Sequence, residues 1–151
     1  MDQTEKEKLF EAMHNLKRAH AWGPQMEGAS RGEYFTLHMI HRLTEESGES
    51  NPGAKITDLS RSAQMSRPAV SQMLNTLENK QLIERIMAKS DRRVVYVKLT
   101  RSGEELLQKS HEQFHFWFDR VVEKLGPEDT AELTRLVTKL RMIMENLRAD
   151  Q

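Results

Sequence analysis

The segment ITDLSRSAQMSRPAVSQMLNTLENKQLIERI, residues 56–86, leaves the chain few ways to fold, because it sets two short helices on either side of a tight turn. Thr57 can cap a first helix that holds Leu59 and Ala63. Ser66 can cap a second, with Arg67 and Pro68 in its first turn, where a missing amide proton costs nothing. The turn between them falls at Gln64 and Met65, which is helix-turn-helix spacing. On the second helix Val70, Met73, Leu74 and Leu77 follow the i, i+3, i+4, i+7 pattern and must face a core. Opposite them, at about 100° per residue, fall Pro68, Gln72 and Asn75, flanked by Ser71 and Thr76, with Arg67 at the margin of the first turn.

That outward face is nearly uncharged, whereas solvated helix faces usually carry Glu and Lys. Its hydrogen-bonding groups suit base edges in a major groove: Gln and Asn pair with adenine, Arg with guanine, and Ser with either. An ordinary solvated face is the plainer alternative, and the next stretch of chain weighs against it. LIERIMA is β-prone, KSDRR is a polar turn, and in VVYVKLT one face collects Val95, Val97 and Leu99 while Val94, Tyr96 and Lys98 take the other. A hairpin after a helix-turn-helix is a wing. Lys89, Arg92 and Arg93 then stand at its tip, where the concentrated negative potential of a duplex backbone or minor groove would attract them. Asp91, close to Arg93 in sequence, is placed to pair with that guanidinium and hold it extended.

Charge tells the same story only when it is divided. The 151 residues carry no formal net charge, yet residues 60–101 hold a balance of +6 and the remainder −6. A basic middle segment in a neutral chain points to one anion-facing surface, which draws polyphosphate by counterion release. A merely solvated charged face remains the alternative on charge alone. There are no cysteines, which removes disulfide scaffolds, thiolate zinc sites and cysteine redox switches. No apolar run is long enough to span a bilayer, and the opening MDQTEKEKLF lacks the apolar core of a signal peptide, so a cytoplasmic location is expected. A Gly-rich phosphate loop, a nucleophile elbow and a carboxylate pair in apolar surroundings are all missing from the sequence. Neither an enzyme nor a cofactor is expected.

The rest of the chain reads as helices. Residues 5–20 put Leu9, Met13, Leu16 and His20 on one stripe that ends before WGP, and a second helix is expected over about 33–46, with Phe35, Met39 and Leu43 four apart. SGESNPGAK reads as an exposed loop. Thr100 can cap a long helix through Leu106, Leu107, Ser110, Phe114, Trp117, Phe118, Val121 and Leu125. Gly126 and Pro127 open another, with Glu128 and Asp129 favourably placed for its dipole. Along it Leu133, Leu136, Val137, Leu140, Ile143, Met144 and Leu147 form an apolar stripe. One small core cannot cover both helices, whereas a second subunit related by two-fold symmetry would.

The fold class expected is therefore mainly α with a small β wing: a winged helix-turn-helix with N- and C-terminal helices. In this order of elements, and in the run DRRVVYVKLTRSGEEL with Asp91, Arg93, Leu99, Thr100, Gly103 and Leu106, the chain resembles the multiple antibiotic resistance regulator (MarR) family of transcription factors. The likeness covers nearly the whole chain. It implies a homodimer on a pseudo-palindromic DNA operator, commonly a repressor answering a small-molecule effector. The helix from Ser66 would lie in the major groove, and Arg93 would reach the minor groove. The implied divisions are a dimerisation helix and loop over 1–32, a DNA-binding domain over 33–100, and dimerisation helices over 101–151. Gln81 stands where the family usually has glycine, a residue suited to a left-handed helix end.

The expected DNA contacts are Ser66, Arg67, Pro68, Ser71, Gln72, Asn75, Lys89, Arg92 and Arg93, with Asp91 supporting the wing. The resemblance also implies an effector pocket, for which Trp22, Met26, Tyr34, His38, Phe114 and Trp117 are candidates, although any of them serves equally as plain core. His38 with His41 and His111 with His115 have spacings that offer two ligands each to zinc, but no third ligand is set by the sequence, so no metal site is assigned. Two alternatives stand beside the ligand-responsive repressor: a winged-helix module whose basic wing grips an acidic protein, and a metal-sensing repressor of the same family.

Overall fold

The computed structural model describes residues 3–18, 23–24 and 27–149; Trp22, Met26 and His20 lie outside them. The chain divides into two compact units, Met1–Pro24 with Phe114–Gln151, and Gln25–Gln113.

The second unit is built on α2 (Arg31–Ser47), β1 (Ala54–Lys55), α3 (Ile56–Ala63), α4 (Arg67–Asn79), β2 (Ile83–Met87), β3 (Val95–Leu99) and the first half of α5 (Arg101–Leu125). Its helix α2 begins at a capping box, in which Ser30 Oγ accepts from the Glu33 amide at 3.2 Å and the Glu33 carboxylate accepts from the Ser30 amide at 2.7 Å. The helix buries Tyr34, Leu37 and Ile40, with Met39 and Leu43 at the edge of the core. Phe35, expected on the same stripe as Met39 and Leu43, is exposed because the inward face is set by Leu37 and Ile40 one position further round.

Two local expectations are corrected. Helix α3 starts at Ile56 with Lys55 as its N-cap and no side-chain cap bond, so Thr57 lies inside the first turn and does not cap it. The stretch 47–55 is only partly loop: after a 3₁₀ turn at Gly48–Ser50, Ala54 and Lys55 pair with Val97 and Tyr96 as an edge strand. Gly53 makes this possible, since a Cβ there would sit 2.5 Å from the Val97 carbonyl oxygen. The sheet is antiparallel in the order β1-β3-β2, with Ile83 opposite Leu99 and Met87 opposite Val95.

The turn of the helix-turn-helix is made by Gln64, left-handed at φ 51°, whose amide donates to the Arg61 carbonyl at 3.3 Å. Ser66 Oγ then caps α4 by accepting from the Ala69 amide at 3.3 Å, with Pro68 in the first turn. Leu37, Ile40, Leu59, Leu74, Leu77 and Val97 are wholly buried where α2, α3, α4 and the sheet meet.

Helix α4 ends in a Schellman motif. The Gln81 amide donates to the Glu78 carbonyl at 2.8 Å and the Leu82 amide to the Leu77 carbonyl at 3.0 Å, with Gln81 at φ 58°. The left-handed end that the family's usual glycine would suit is present although Gln81 replaces that glycine, at a conformational cost of roughly 1 kcal/mol. Part of that cost is offset by Thr100, whose Oγ1 donates to the Gln81 carbonyl at 2.6 Å. Thr100 also accepts from the Gly103 amide at 3.1 Å, so one side chain caps α5 and ties it to the end of α4.

The first unit contains α1 (Gln3–Arg18), the second half of α5 and α6 (Pro127–Ala149). Gly126, at φ 83°, turns the chain into α6. Phe114, Trp117 and Phe118 form an aromatic cluster on α5, with Phe114 stacked on Phe118 at 5.9 Å between ring centroids. Neither α1 nor α6 has a buried residue among those described, and Leu9, Phe10, Leu16, Leu133, Val137 and Leu147 are all more than half exposed.

Candidate nucleic-acid interface

Helix α4 turns Val70, Leu74 and Leu77 inward, and its outward face is what remains: Ser66, Arg67, Pro68, Ser71, Gln72, Asn75 and Thr76 are all exposed. Apart from Arg67 that face is uncharged. The wing is closed by the Ala88 amide donating to the Val94 carbonyl at 2.9 Å and by the Val94 amide donating to the Asp91 carbonyl at 3.0 Å. Its inner strand is steadied by Tyr96, whose hydroxyl donates to Asn51 Oδ1 at 3.0 Å.

Arg93 is almost wholly exposed, and Asp91 governs its direction. One carboxylate oxygen accepts from the Arg93 amide at 3.0 Å and from Nε at 3.2 Å, and the other accepts from Nη2 at 3.3 Å. A guanidinium held along its length keeps donors free for a further acceptor. The same bonds lower the Asp91 pKa, the Arg93 side chain contributing most and its amide next.

Ion pairing sorts the bases of the middle segment. Arg61 pairs with Asp58 at 3.5 Å, Lys80 with Glu33 at 2.8 Å, Lys98 with Glu84 at 2.9 Å across the hairpin, and Arg101 with Glu105 at 2.9 Å. Arg85 meets the Glu78 carboxylate and also donates to Asn75 Oδ1 at 2.8 Å. Arg93 is paired locally with Asp91. Among the described residues Arg67, Lys89 and Arg92 have no ion-pair partner, and they stand at the first turn of α4 and the tip of the wing. The excess of positive charge is thus concentrated at the two places where the fold presents its helix face and its hairpin.

Sequence reasoning missed two parts of this surface. The buried carboxylate of Glu33 receives Lys80 on both oxygens, joining the start of α2 to the end of α4. Burial pushes its pKa up, but the bonds and charge of Lys80 and the Ser30 cap outweigh this and leave it lowered. The signal for Glu33 was present in Ser-x-x-Glu at residues 30–33. The second omission, Arg85 on Asn75 and Glu78, has no local sequence signature.

Of the candidate effector residues, Tyr34 and His38 sit together on α2 with ring centroids 6.3 Å apart, and Phe114 and Trp117 belong to the aromatic cluster on α5. His38 faces His111 at 5.9 Å, and its pKa is lowered by burial first and then by the charges of His111, His41 and Arg42. Among the described residues no three His, Asp or Glu side chains converge as metal ligands. No helix among them is long and apolar enough to cross a membrane.

A helix-turn-helix followed by a hairpin closing on a three-stranded sheet, with long flanking helices, defines the winged helix-turn-helix class. The MarR family model matches residues 30–95. The chain is 33% identical over 108 residues to the HTH-type transcriptional regulator FarR of Neisseria gonorrhoeae, covering 72% of this chain and 71% of that one. It is 28% identical over 117 residues to the HTH-type transcriptional regulator BilQ of Clostridium symbiosum, covering 77% and 75%. Among solved structures, Streptococcus pneumoniae FabT in complex with DNA superposes with a TM-score of 0.64 at 25% identity, over 96% of this chain and 98% of that one. A mutant of E. coli MarR complexed with operator DNA gives 0.70 at 20% identity, over 93% and 99%. The chain belongs to the MarR family and is a transcriptional regulator, in a family of regulators rather than enzymes.

Proposed function

We propose that this regulator binds double-stranded DNA sequence-specifically, as a cytoplasmic homodimer on a pseudo-palindromic operator, and represses transcription until a small-molecule effector releases it. The observation that carries the reading is the sorting of charge: among the described residues of the basic middle segment, the bases left without carboxylate partners are Arg67, Lys89 and Arg92, on the recognition helix and the wing tip. Ser66, Arg67, Pro68, Ser71, Gln72 and Asn75 would meet the major groove, and Lys89, Arg92 and Arg93 the backbone or minor groove, with Asp91 steering Arg93. FabT and E. coli MarR, both solved with DNA, support this use of the fold. In the same reading residues 33–100 contact DNA, while the helices of 1–32 and 101–151 hold two copies together. The exposed apolar residues of α1 and α6 support that division. An effector that binds better to a form whose two recognition helices no longer match the operator spacing would release DNA by linkage.

The test is a gel shift on the DNA flanking the protein's own coding region, in moderate salt with competitor. A discrete complex with two chains per site is expected. Salt-sensitive smearing on any DNA, or no retardation, would overturn the reading in favour of a module whose wing grips an acidic protein. Zinc titration by calorimetry separates the metal-sensing variant of the proposal, for which heat uptake or release would have to appear.

A further inference from the structure

The recognition face carries one side chain whose hydrogen-bonding sense is already decided before any DNA arrives. Asn75 is exposed on α4, yet its Oδ1 lies 2.8 Å from Nη2 of Arg85, which projects from β2. A guanidinium has only donors, so the amide atom that faces it must be the carbonyl oxygen. The same guanidinium is held by the Glu78 carboxylate, one helical turn from Asn75 on the same side of α4. Arg85 is only about a quarter exposed, at 27%, so the fork is fixed at both ends and does not swing freely in solvent.

Resting on the DNA-binding reading above, we propose that Arg85 is a positioning residue that makes Asn75 a donor: its amide N–H₂, rather than its carbonyl, is offered to the base edge. An unrestrained asparagine suits adenine, giving one hydrogen bond to N7 and taking one from N6–H₂. Here the accepting half is engaged by a cation, and an adenine or cytosine amine would have to bring its own hydrogens alongside that guanidinium. Guanine offers two acceptors side by side, O6 and N7, and thymine offers O4, whereas adenine sets an N6–H₂ next to its N7, where it meets the engaged oxygen and its guanidinium, and cytosine offers only a donor. Asn75 therefore selects guanine or thymine over adenine or cytosine on the strand it faces, and the wing, through Arg85, sets the specificity of the helix.

The experiment is selection from a random-sequence DNA duplex library with the full-length protein and three variants. Wild type should enrich a guanine or thymine at one position of each half-site. Asn75→Ala, an exposed helix position that alanine suits, should lose about tenfold discrimination at that position alone. Asn75→Asp replaces the donor by an acceptor and should reverse the preference there to adenine or cytosine on the same strand. Arg85→Met should lower affinity evenly for all sequences, through the lost charge and the unpaired Glu78, and in addition broaden the same position; it should have no further effect on base preference in the Asn75→Ala background. Because Arg85 also braces the wing, its variant is compared at matched melting behaviour; Asn75→Asp, which leaves Arg85 in place, tests the donor assignment without it. Identical preferences for wild type and Asn75→Asp, or an unchanged wild-type profile in Arg85→Met, would overturn the inference. A wild-type protein that enriches no sequence overturns the DNA-binding reading itself, and this inference with it.

Discussion

Replacing Gly103 by alanine should unfasten the wing from α5. In an exposed helix the change would stabilise by about 1 kcal/mol, because alanine is the better helix former. At this position the sign reverses. Gly103 is buried, and a Cβ on it would stand 2.0 Å from the carbonyl oxygen of Leu82. The obstacle is backbone, not the far end of a flexible side chain, so the first turn of α5 or the start of β2 must move by more than an ångström. That carbonyl accepts from the Thr100 amide at 3.0 Å, and the neighbouring Gln81 carbonyl from Thr100 Oγ1 at 2.6 Å. Losing two such bonds costs about 1 kcal/mol each, and overpacking a close-packed contact adds about 1 to 3 kcal/mol. A loss of about 3 to 5 kcal/mol is expected, a large share of the stability of a domain this size. Urea denaturation followed by circular dichroism measures it, with Gly32→Ala as the control. There the near neighbour among the described residues is the terminal methyl of Met73 at 3.2 Å, which can turn aside, so a change of less than about 1 kcal/mol is expected. A Gly103→Ala protein as stable as the parent would refute the packing argument and with it the account of how the wing is seated.

Three further outcomes are expected. Arg93→Ala should weaken operator binding about tenfold or more and leave the dimer intact, as fluorescence anisotropy and light scattering would show; unchanged affinity removes the wing from the interface. Leu140→Asp puts a charge among the apolar residues of α6 and should give monomers or unfolded protein in sedimentation experiments, so a stable dimer contradicts the assembly. Glu33→Gln should destabilise by about 1 to 2 kcal/mol at neutral pH, discounted because Lys80 is part exposed. Since the Glu33 pKa is lowered in the folded state, the stability it contributes is complete above its ordinary value of 4.5 and is lost as pH falls through the folded value, so parent and variant should converge in acid. A difference that persists at low pH would show that the carboxylate charge is not its source.

What the chain revealed without its fold was whatever is encoded within one or two helical turns. The Ser66 cap, the inward stripe of Val70, Leu74 and Leu77, the inward Val97 and Leu99 and the Thr100 cap are local, and each is found where its spacing placed it, whereas Val95 is only half-buried and Tyr96, set on the opposite face, is buried. The left-handed end of α4 was not legible, because Gln81 stands in a position that favours glycine; buried Leu77 and Leu82 and the hydroxyl of Thr100 hold it there. The tertiary structure decided which charges are spent internally. Lys80 is neutralised by a carboxylate from α2, and Arg85 by Glu78 with Asn75, whereas Arg67, Lys89 and Arg92 find no partner among the described residues. It also made a strand of Ala54 and Lys55, a pair too short to have a period of its own. Periodicity is a property of a sequence window, but ion pairing depends on what lies within about 4 Å in space, and only the folded chain sets that distance.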